Sequence, residues 1–406
     1  MRRQDEWLEV PIGSNAERWR TRLPDRTALV VAHSVTALQR LLDVTALFDG
    51  DERVQTLFTQ GPGVFSAGVP ELLERLGAVV VPWQQAVHTT FAIALASGHS
   101  GLSEIQAPIA IFPHGAGYNK FISSNHGSTD HVLPVYGVSK TNLVHDGRVV
   151  PSTVVLAHED ELTVLKEQCA QALPAALVAG DPCFDRLLLT KYRRPEYRTR
   201  LGLAPGRKLL VVSSTWGPGS LYSTDDILDR VAREAATDEV AVLAMLHPNV
   251  WFGHGPWQIR AWFKRYRQAG IRLLEPHADW RSYLMCADWF IGDHGSVSLY
   301  AMTAEPAQLR TDFHLRSVVP GSAMALLHAA VPTADAATPL FEQFRRTDLV
   351  TGVRDNSAVI NRITSEPNSC AQNLRSMIYA HMKLDEPQFA AKLEEVPPPD
   401  NLFRDH

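Results

Sequence analysis

Short apolar runs, each closed by a turn and followed by helical periodicity, recur along this chain in two series, and that pattern admits few folds. In the first series Thr27 to Ala32, Val54 to Phe58, Ala78 to Val81, Pro108 to Phe112, Thr153 to Leu156 and Ala176 to Ala179 read as strands. Val35 to Phe48, with Leu38, Leu41, Leu42 and Leu47 apolar, reads as a helix, as do 70 to 76, Thr89 to Ser97 and Asp160 to Gln171. Val132 to Tyr136 is a further strand-like run. The second series has strands at Lys208 to Ser213, Val240 to Leu246, Ile271 to Leu274 and Trp289 to Ile291. Its helices are Trp257 to Gln268, Trp280 to Met285 and 354 to 382. Strands alternating with helices specify parallel, doubly wound sheets, and 406 residues suffice for two such domains. The expected organisation is a polar leader at 1–25, a Rossmann-like domain at 26–182, a charged linker at 183–206, a second Rossmann-like domain at 207–385 and a polar tail at 386–406.

Composition narrows the class. With 45% hydrophobic and 20% charged residues this is a globular chain, and a net charge of −5 offers no basic stripe for nucleic acid. Cys169, Cys183, Cys286 and Cys370 lie too far apart for a zinc site or a disulfide framework, which fits reduced thiols. The histidines, among them His126, His131 and His254, lack the helical spacing with a glutamate that marks a zinc hydrolase, so no metal is expected. No signal-peptide core precedes Thr27 and no apolar run reaches the roughly 18 residues of a membrane span. A cytoplasmic protein is expected, with peripheral membrane contact left open. The patch Lys191 to Arg200 reads as a solvated linker face or as a contact for a polyanion.

Doubly wound sheets bind ligands beyond the carboxyl ends of their strands. His114, Asp181, Trp216, His247 and Asp293 each follow an expected strand and are expected to line a central cleft between the two domains. The stretch Ala287 to Tyr300 is the most informative. A strand closes at Gly292-Asp293 and a helix follows from Ser296, so exposed amides and the positive end of a helix dipole converge where Gly295 lets an anion approach. Phosphate is the natural guest, and an ordinary βα turn that binds nothing is the alternative. Ser296 or its neighbour is expected to cap that helix, and Asp293 reads equally as its cap or as a phosphate-side residue. After the strand at 208–213 comes a glycine-rich loop, Ser214 to Ser220, with Ser223 and Asp226 placed as an acidic capping box.

Taken in order, these strand ends resemble the CDP-glycerol glycerophosphotransferases, the teichoic-acid primases and polymerases, a family with the GT-B fold. His114-Gly115-Ala116-Gly117-Tyr118-Asn119-Lys120 resembles that family's H-G-T-x-x-K segment, and Gly180-Asp181-Pro182-Cys183-Phe184-Asp185-Arg186-Leu187 its G-N/S-P-R-x-D-x-L segment. Ser214-Thr215-Trp216, His247-Pro248 and Asp288 to Val297 resemble three further family segments, and the matches together span roughly residues 110 to 300. Two departures stand out. Asp293-His294-Gly295-Ser296 replaces D-Y-S-S, and no arginine follows Trp216. The G-D-H-G-S and S-S-T-W-G-P-G-S segments also resemble actinobacterial proteins of unassigned role.

The resemblance implies a GT-B transferase that moves a glycerophosphate-like or glycosyl group from a nucleotide-diphosphate donor to an acceptor hydroxyl and needs no cofactor. His114 is then the candidate base for that hydroxyl and His247 the contact for the leaving phosphate. Ser214, Thr215, Trp216, Gly217, Asp293, His294, Gly295, Ser296 and Val297 are the donor-side candidates, with Ser298 weaker, and Gly115 and Lys120 are the acceptor-side ones. A nucleotide-sugar 2-epimerase, an ordinary glycosyltransferase and a non-catalytic binder of a nucleotide-linked metabolite remain as alternatives on the same fold.

Overall fold

The computed structural model describes residues 7–13, 15–122, 133–224, 226–235, 240–351 and 356–403. His126, His131 and the start of the run Val132 to Tyr136 lie outside the described residues, as do the first six and last three positions. The chain forms two compact units: residues 1–118, 122–183 and 364–394 make the first, and residues 119–121, 184–363 and 395–406 the second.

The first unit is built on a six-stranded parallel sheet. Its strands are β1 (Arg26–Ala32), β2 (Val54–Gln60), β3 (Ile93–Ala96), β4 (Ile109–Ile111), β5 (Thr153–Leu156) and β6 (Ala176–Val178), in the order β2-β1-β3-β4-β5-β6. Helix α1 (Val35–Thr45) follows β1; Ser34 caps it by accepting from the Ala37 amide at 3.1 Å, and Leu38 and Leu41 are fully buried. β3 corrects the expected helix over Thr89 to Ser97. Ile93, Ala94, Leu95 and Ala96 are all fully buried between β1 and β4, and a strand covered on both faces shows no alternation in sequence. The expected strand at 78–81 contributes a single bridge, Val80 to Phe58. The unit also takes in α2 (Glu161–Cys169) and α9 (Cys370–Met382). The latter is tied down by the Tyr379 hydroxyl donating to Asp51 at 2.8 Å.

The second unit carries a five-stranded parallel sheet of β7 (Lys208–Ser214), β8 (Val240–Leu246), β9 (Ile271–Leu273), β10 (Trp289–Gly292) and β11 (Ala307–Arg310), in the order β9-β8-β7-β10-β11. Trp289 stacks on Phe344 with ring centroids 5.2 Å apart in a core that also buries Trp251 and Phe263. Helices α5 (Pro248–His254), α6 (Ser296–Ala304), α7 (Ala323–Ala330) and α8 (Ser357–Ile363) belong to it.

The expected linker is mostly helical, as α3 (Pro182–Thr190) and α4 (Arg194–Leu201), and from Phe184 onward it is part of the second unit. Its basic patch is largely committed within that unit: Arg194 and Arg198 each donate to Asp288 at 2.8 Å, and Arg193 pairs with Glu196 and Glu395. Burial alone would raise the Asp288 carboxyl, but Arg194, the Leu209 amide and Arg198 hold it below the usual carboxylate range. The expected tail is packed too. The Val396 amide donates to Thr190 Oγ1 at 2.9 Å and the Leu402 amide to the Leu201 carbonyl at 3.2 Å. Among the described residues no helix is long and apolar enough to cross a membrane.

Candidate functional site

In the second sheet β7 is flanked by β8 on one side and β10 on the other, so the connections leaving β7 and β10 diverge. This is the topological switch point, where open α/β sheets place their ligands. The two loops that open there are Ser214 to Ser220 and Asp293 to Gly295.

Asp293 joins them. It is 1% exposed, and its carboxylate accepts from the Thr215 amide at 2.9 Å, the Leu221 amide at 2.9 Å and the Gly295 amide at 3.0 Å. Burial pushes its pKa up, while those amides and Lys120 pull it down. Of the two readings left open by sequence, the structure gives a third role: Asp293 holds both loops in register from inside rather than lining a site. Ser223 does not cap the next helix. It lies in the short helix Leu221–Thr224 with its hydroxyl donating to the Ser220 carbonyl at 2.9 Å, and Ile227–Glu234 starts after Asp226 without a side-chain cap.

The first turn of α6 is left open. Its N-cap is Gly295, no side chain caps it, and the Ser298 amide is the first to find an acceptor, the Gly295 carbonyl at 3.0 Å. The Ser296 and Val297 amides and the Ser296 hydroxyl have no hydrogen-bond partner among the described residues. Thr215 is 7% exposed, its hydroxyl is also without a partner there, and its Oγ1 lies 3.6 Å from where a β-carbon on Gly295 would stand. Gly295 therefore serves close approach: that β-carbon would sit 3.2 Å from Thr215 Cβ. Ser298 turns inward and donates to the Asp293 carbonyl at 2.7 Å, which removes it from the ligand side.

His247 caps α5, its Nδ1 accepting from the Asn249 amide at 3.1 Å. A ring nitrogen that accepts an N–H carries no proton, so the neutral ring has its hydrogen on Nε2. Trp216, expected as a stacking face or a core residue, is 43% exposed, with its ring 6.4 Å from that of His247. Gly217 follows it at φ +88°, turning the loop through left-handed backbone. The His294 ring packs on Phe313 at 5.6 Å, and its Nδ1 is buried with no partner. Burial, aided by Lys120, drives its pKa down to about 3, so it is neutral near pH 7 and brings no charge to an anion.

Lys120, expected on the acceptor side, sits in the second unit. Residues 119–121 form a strap there: Lys120 bridges Val318 antiparallel, the Phe121 amide donates to the Ser317 carbonyl at 3.0 Å, and the Val319 amide to the Asn119 carbonyl at 2.9 Å.

The first unit holds the His114 loop. His114 is exposed and meets Tyr136 edge-on at 5.2 Å; His99 meets the same ring at 6.0 Å. The loop is pinned at both ends by buried charge. Arg40, 6% exposed on α1, pairs with Asp181 at 2.8 Å and donates to the Gly115 carbonyl at 3.0 Å. Glu161, 4% exposed, accepts from the Tyr118 amide at 3.0 Å and the Ala157 amide at 2.8 Å. Asp181, 1% exposed, is thus part of an internal ion pair and does not line a site. Arg40 and Glu161 escape sequence reading because one sits in an ordinary amphipathic helix and the other resembles any first-turn acid.

Gly117 lets Glu161 in. It has φ +71°, and a β-carbon there would fall 2.2 Å from Glu161 Oε1. Gly117→Ala is expected to lose roughly 1–3 kcal/mol from backbone strain, with a further loss from the carboxylate it displaces. Gly206→Ala, at φ +81° with open space around it, is the control that carries the strain alone, and the difference in urea midpoints reads the clash.

No protein-family model matches the sequence, and no curated protein matches it. Solved structures do. The wall teichoic acid polymerase TagF is 14% identical over 89% of this chain and 90% of its own, with a TM-score of 0.61. The chain has the fold of that polymerase. It is the two-unit α/β architecture of the GT-B class. A variant of TagF soaked with CDPG matches at 13% identity and a TM-score of 0.60, covering 89% of each chain. HepE of Anabaena in complex with UDP-glucose matches more loosely, at 14% identity and a TM-score of 0.46 over 88% of this chain and 95% of that one. At such identities the likeness speaks for fold alone.

Proposed function

We propose that this chain is a cytoplasmic transferase that takes a group from a nucleoside diphosphate donor and passes it to an acceptor hydroxyl. The observation that carries this reading is the open first turn of α6 at the switch point, where two amides without acceptors meet the Thr215 and Ser296 hydroxyls. Every one of these groups can donate to a phosphate oxygen, and the helix dipole adds its positive end. His247 extends the set, because its Nε2–H can donate to the same diphosphate.

CDP-glycerol is the donor favoured by the sequence resemblance. With it, the acceptor oxygen bonds to the phosphorus that carries glycerol, the bond from that phosphorus to the bridging oxygen breaks, and CMP leaves with the electron pair. The acceptor proton passes to His114. With a nucleotide sugar, the bond broken is that from the anomeric carbon, and the nucleoside diphosphate leaves. The scheme draws its donors from the chain itself and assigns no cofactor.

The test is a melting-temperature screen against CDP-glycerol, UDP- and GDP-sugars, CMP and UDP, on the wild type and on Thr215→Val. A donor at a hundredfold its dissociation constant adds about 2.7 kcal/mol of stability. A selective rise that Thr215→Val weakens about tenfold in affinity supports the reading. Silence across the panel from a folded protein ends it. Interconversion of a nucleotide sugar with no acceptor present would redirect it to an epimerase, and binding without turnover to a sensor.

A further inference from the structure

Lys120 follows the His114 loop in sequence, yet with Asn119 and Phe121 it belongs to the second unit. The strap that carries it is anchored on the second unit by backbone bonds to Ser317, Val318 and Val319, and by the Asn119 side chain, whose Oδ1 accepts from the Met324 amide at 3.3 Å. Asn119 is 9% exposed, so the residue before Lys120 is fixed in the packing of α7. The strap is rigidly held, yet the ammonium it presents has no ion pair and no hydrogen bond among the described residues. The loop that receives the strap runs beside the start of α6: the Thr311 amide donates to the Gly292 carbonyl at 3.0 Å and the Phe313 ring packs on His294 at 5.6 Å, and Lys120 acts on the pKa of His294, as Asp293 does on that of Lys120. Asp293 has its carboxylate occupied by three backbone amides, and His294 offers only a neutral ring.

We infer that Lys120 supplies the positive charge for the donor's diphosphate at the open turn of α6, as a donor-binding residue of the second unit. The inference rests on the transferase reading above and names the cation that reading lacks. Three observations converge on it. The first is the strap. The second is the uncapped helix end with its unbonded Ser296 and Val297 amides. The third is independent of both: the nine-tenths buried Thr215 hydroxyl, without a partner, against the Gly295 turn. An anion in that turn would satisfy all three at once. The cost of the arrangement falls on the empty protein. Burial lowers the Lys120 pKa, with Asp293 opposing, so the folded state holds the charged amine less readily than the unfolded chain does. For a lysine with a depressed pKa, the ammonium destabilises the fold at pH values below its unfolded pKa, near neutrality included.

The experiment compares wild type, Lys120→Met and Lys120→Arg for melting temperature without ligand and for affinity toward inorganic pyrophosphate, UDP and CDP by calorimetry. Lys120→Met should melt higher than wild type when empty, since it removes a half-buried charge whose pKa the fold depresses, and should bind the diphosphates about 10- to 100-fold more weakly. Lys120→Arg should retain most of the affinity. A Lys120→Met protein that binds as tightly as wild type overturns the inference and leaves the transferase reading intact. A Lys120→Met protein that melts lower, or fails to fold, also overturns it, because the ammonium would then be serving the fold. Absence of diphosphate binding in the wild type itself brings down both.

Discussion

Arg40→Met is expected to destabilise the protein by roughly 3–5 kcal/mol, read as a fall in the urea midpoint with little change in slope. The size follows from what is left behind. Asp181 is 1% exposed and would be left in the interior without its guanidinium, and the Gly115 carbonyl would lose its donor. The pair itself is a poor source of stability, so removing both charges should be far milder. Arg40→Met combined with Asp181→Asn is expected to recover most of the loss, and the double-mutant cycle measures the coupling. A double variant as unstable as the single one would show that Arg40 acts by filling space. The recovered protein also isolates a second effect. With its fold intact but Gly115 unheld, it should turn over more slowly than wild type at unchanged donor affinity.

His114→Ala is the largest expected effect on activity, a fall of about 10²- to 10⁴-fold in kcat. Donor affinity should not move, because the groups assigned to the diphosphate, Thr215, Ser296, Val297 and His247, all belong to the second unit while His114 belongs to the first. Single-turnover rates and calorimetry on the same preparation separate the two. An unchanged rate would remove His114 as the base. Loss of donor binding would move it into the donor site.

Most of the two sheets is legible in the sequence because their strands are apolar runs bounded by turns. Ile93 to Ala96 is misread because its residues are buried on both faces, and such a run carries neither the period of a strand nor that of a helix. Residues 364–385 are assigned by sequence to the second domain and 386–394 to a polar tail, yet both return to the first unit, through contacts such as Tyr379 with Asp51, 328 positions apart. Local pattern carries no information about a partner that distant. At the candidate site, sequence reading finds the strand ends and the glycines but not the direction in which their polar atoms point. Asp293, Ser298 and Asp181 occupy the expected turns and face inward, whereas Thr215 and Ser296 keep hydroxyls without partners. Which atoms are already bonded is a property of packing, and packing also decides that Lys120 belongs to the second unit while His114 belongs to the first.

The chain changes units after Tyr118, Phe121, Cys183, Ile363 and Glu394. Neither unit is therefore a cassette. A gene fusion or recombination joint placed in the 183–206 stretch would leave the first unit without α9 and the second without its strap, so halves exchanged at that joint would each lose part of their packing.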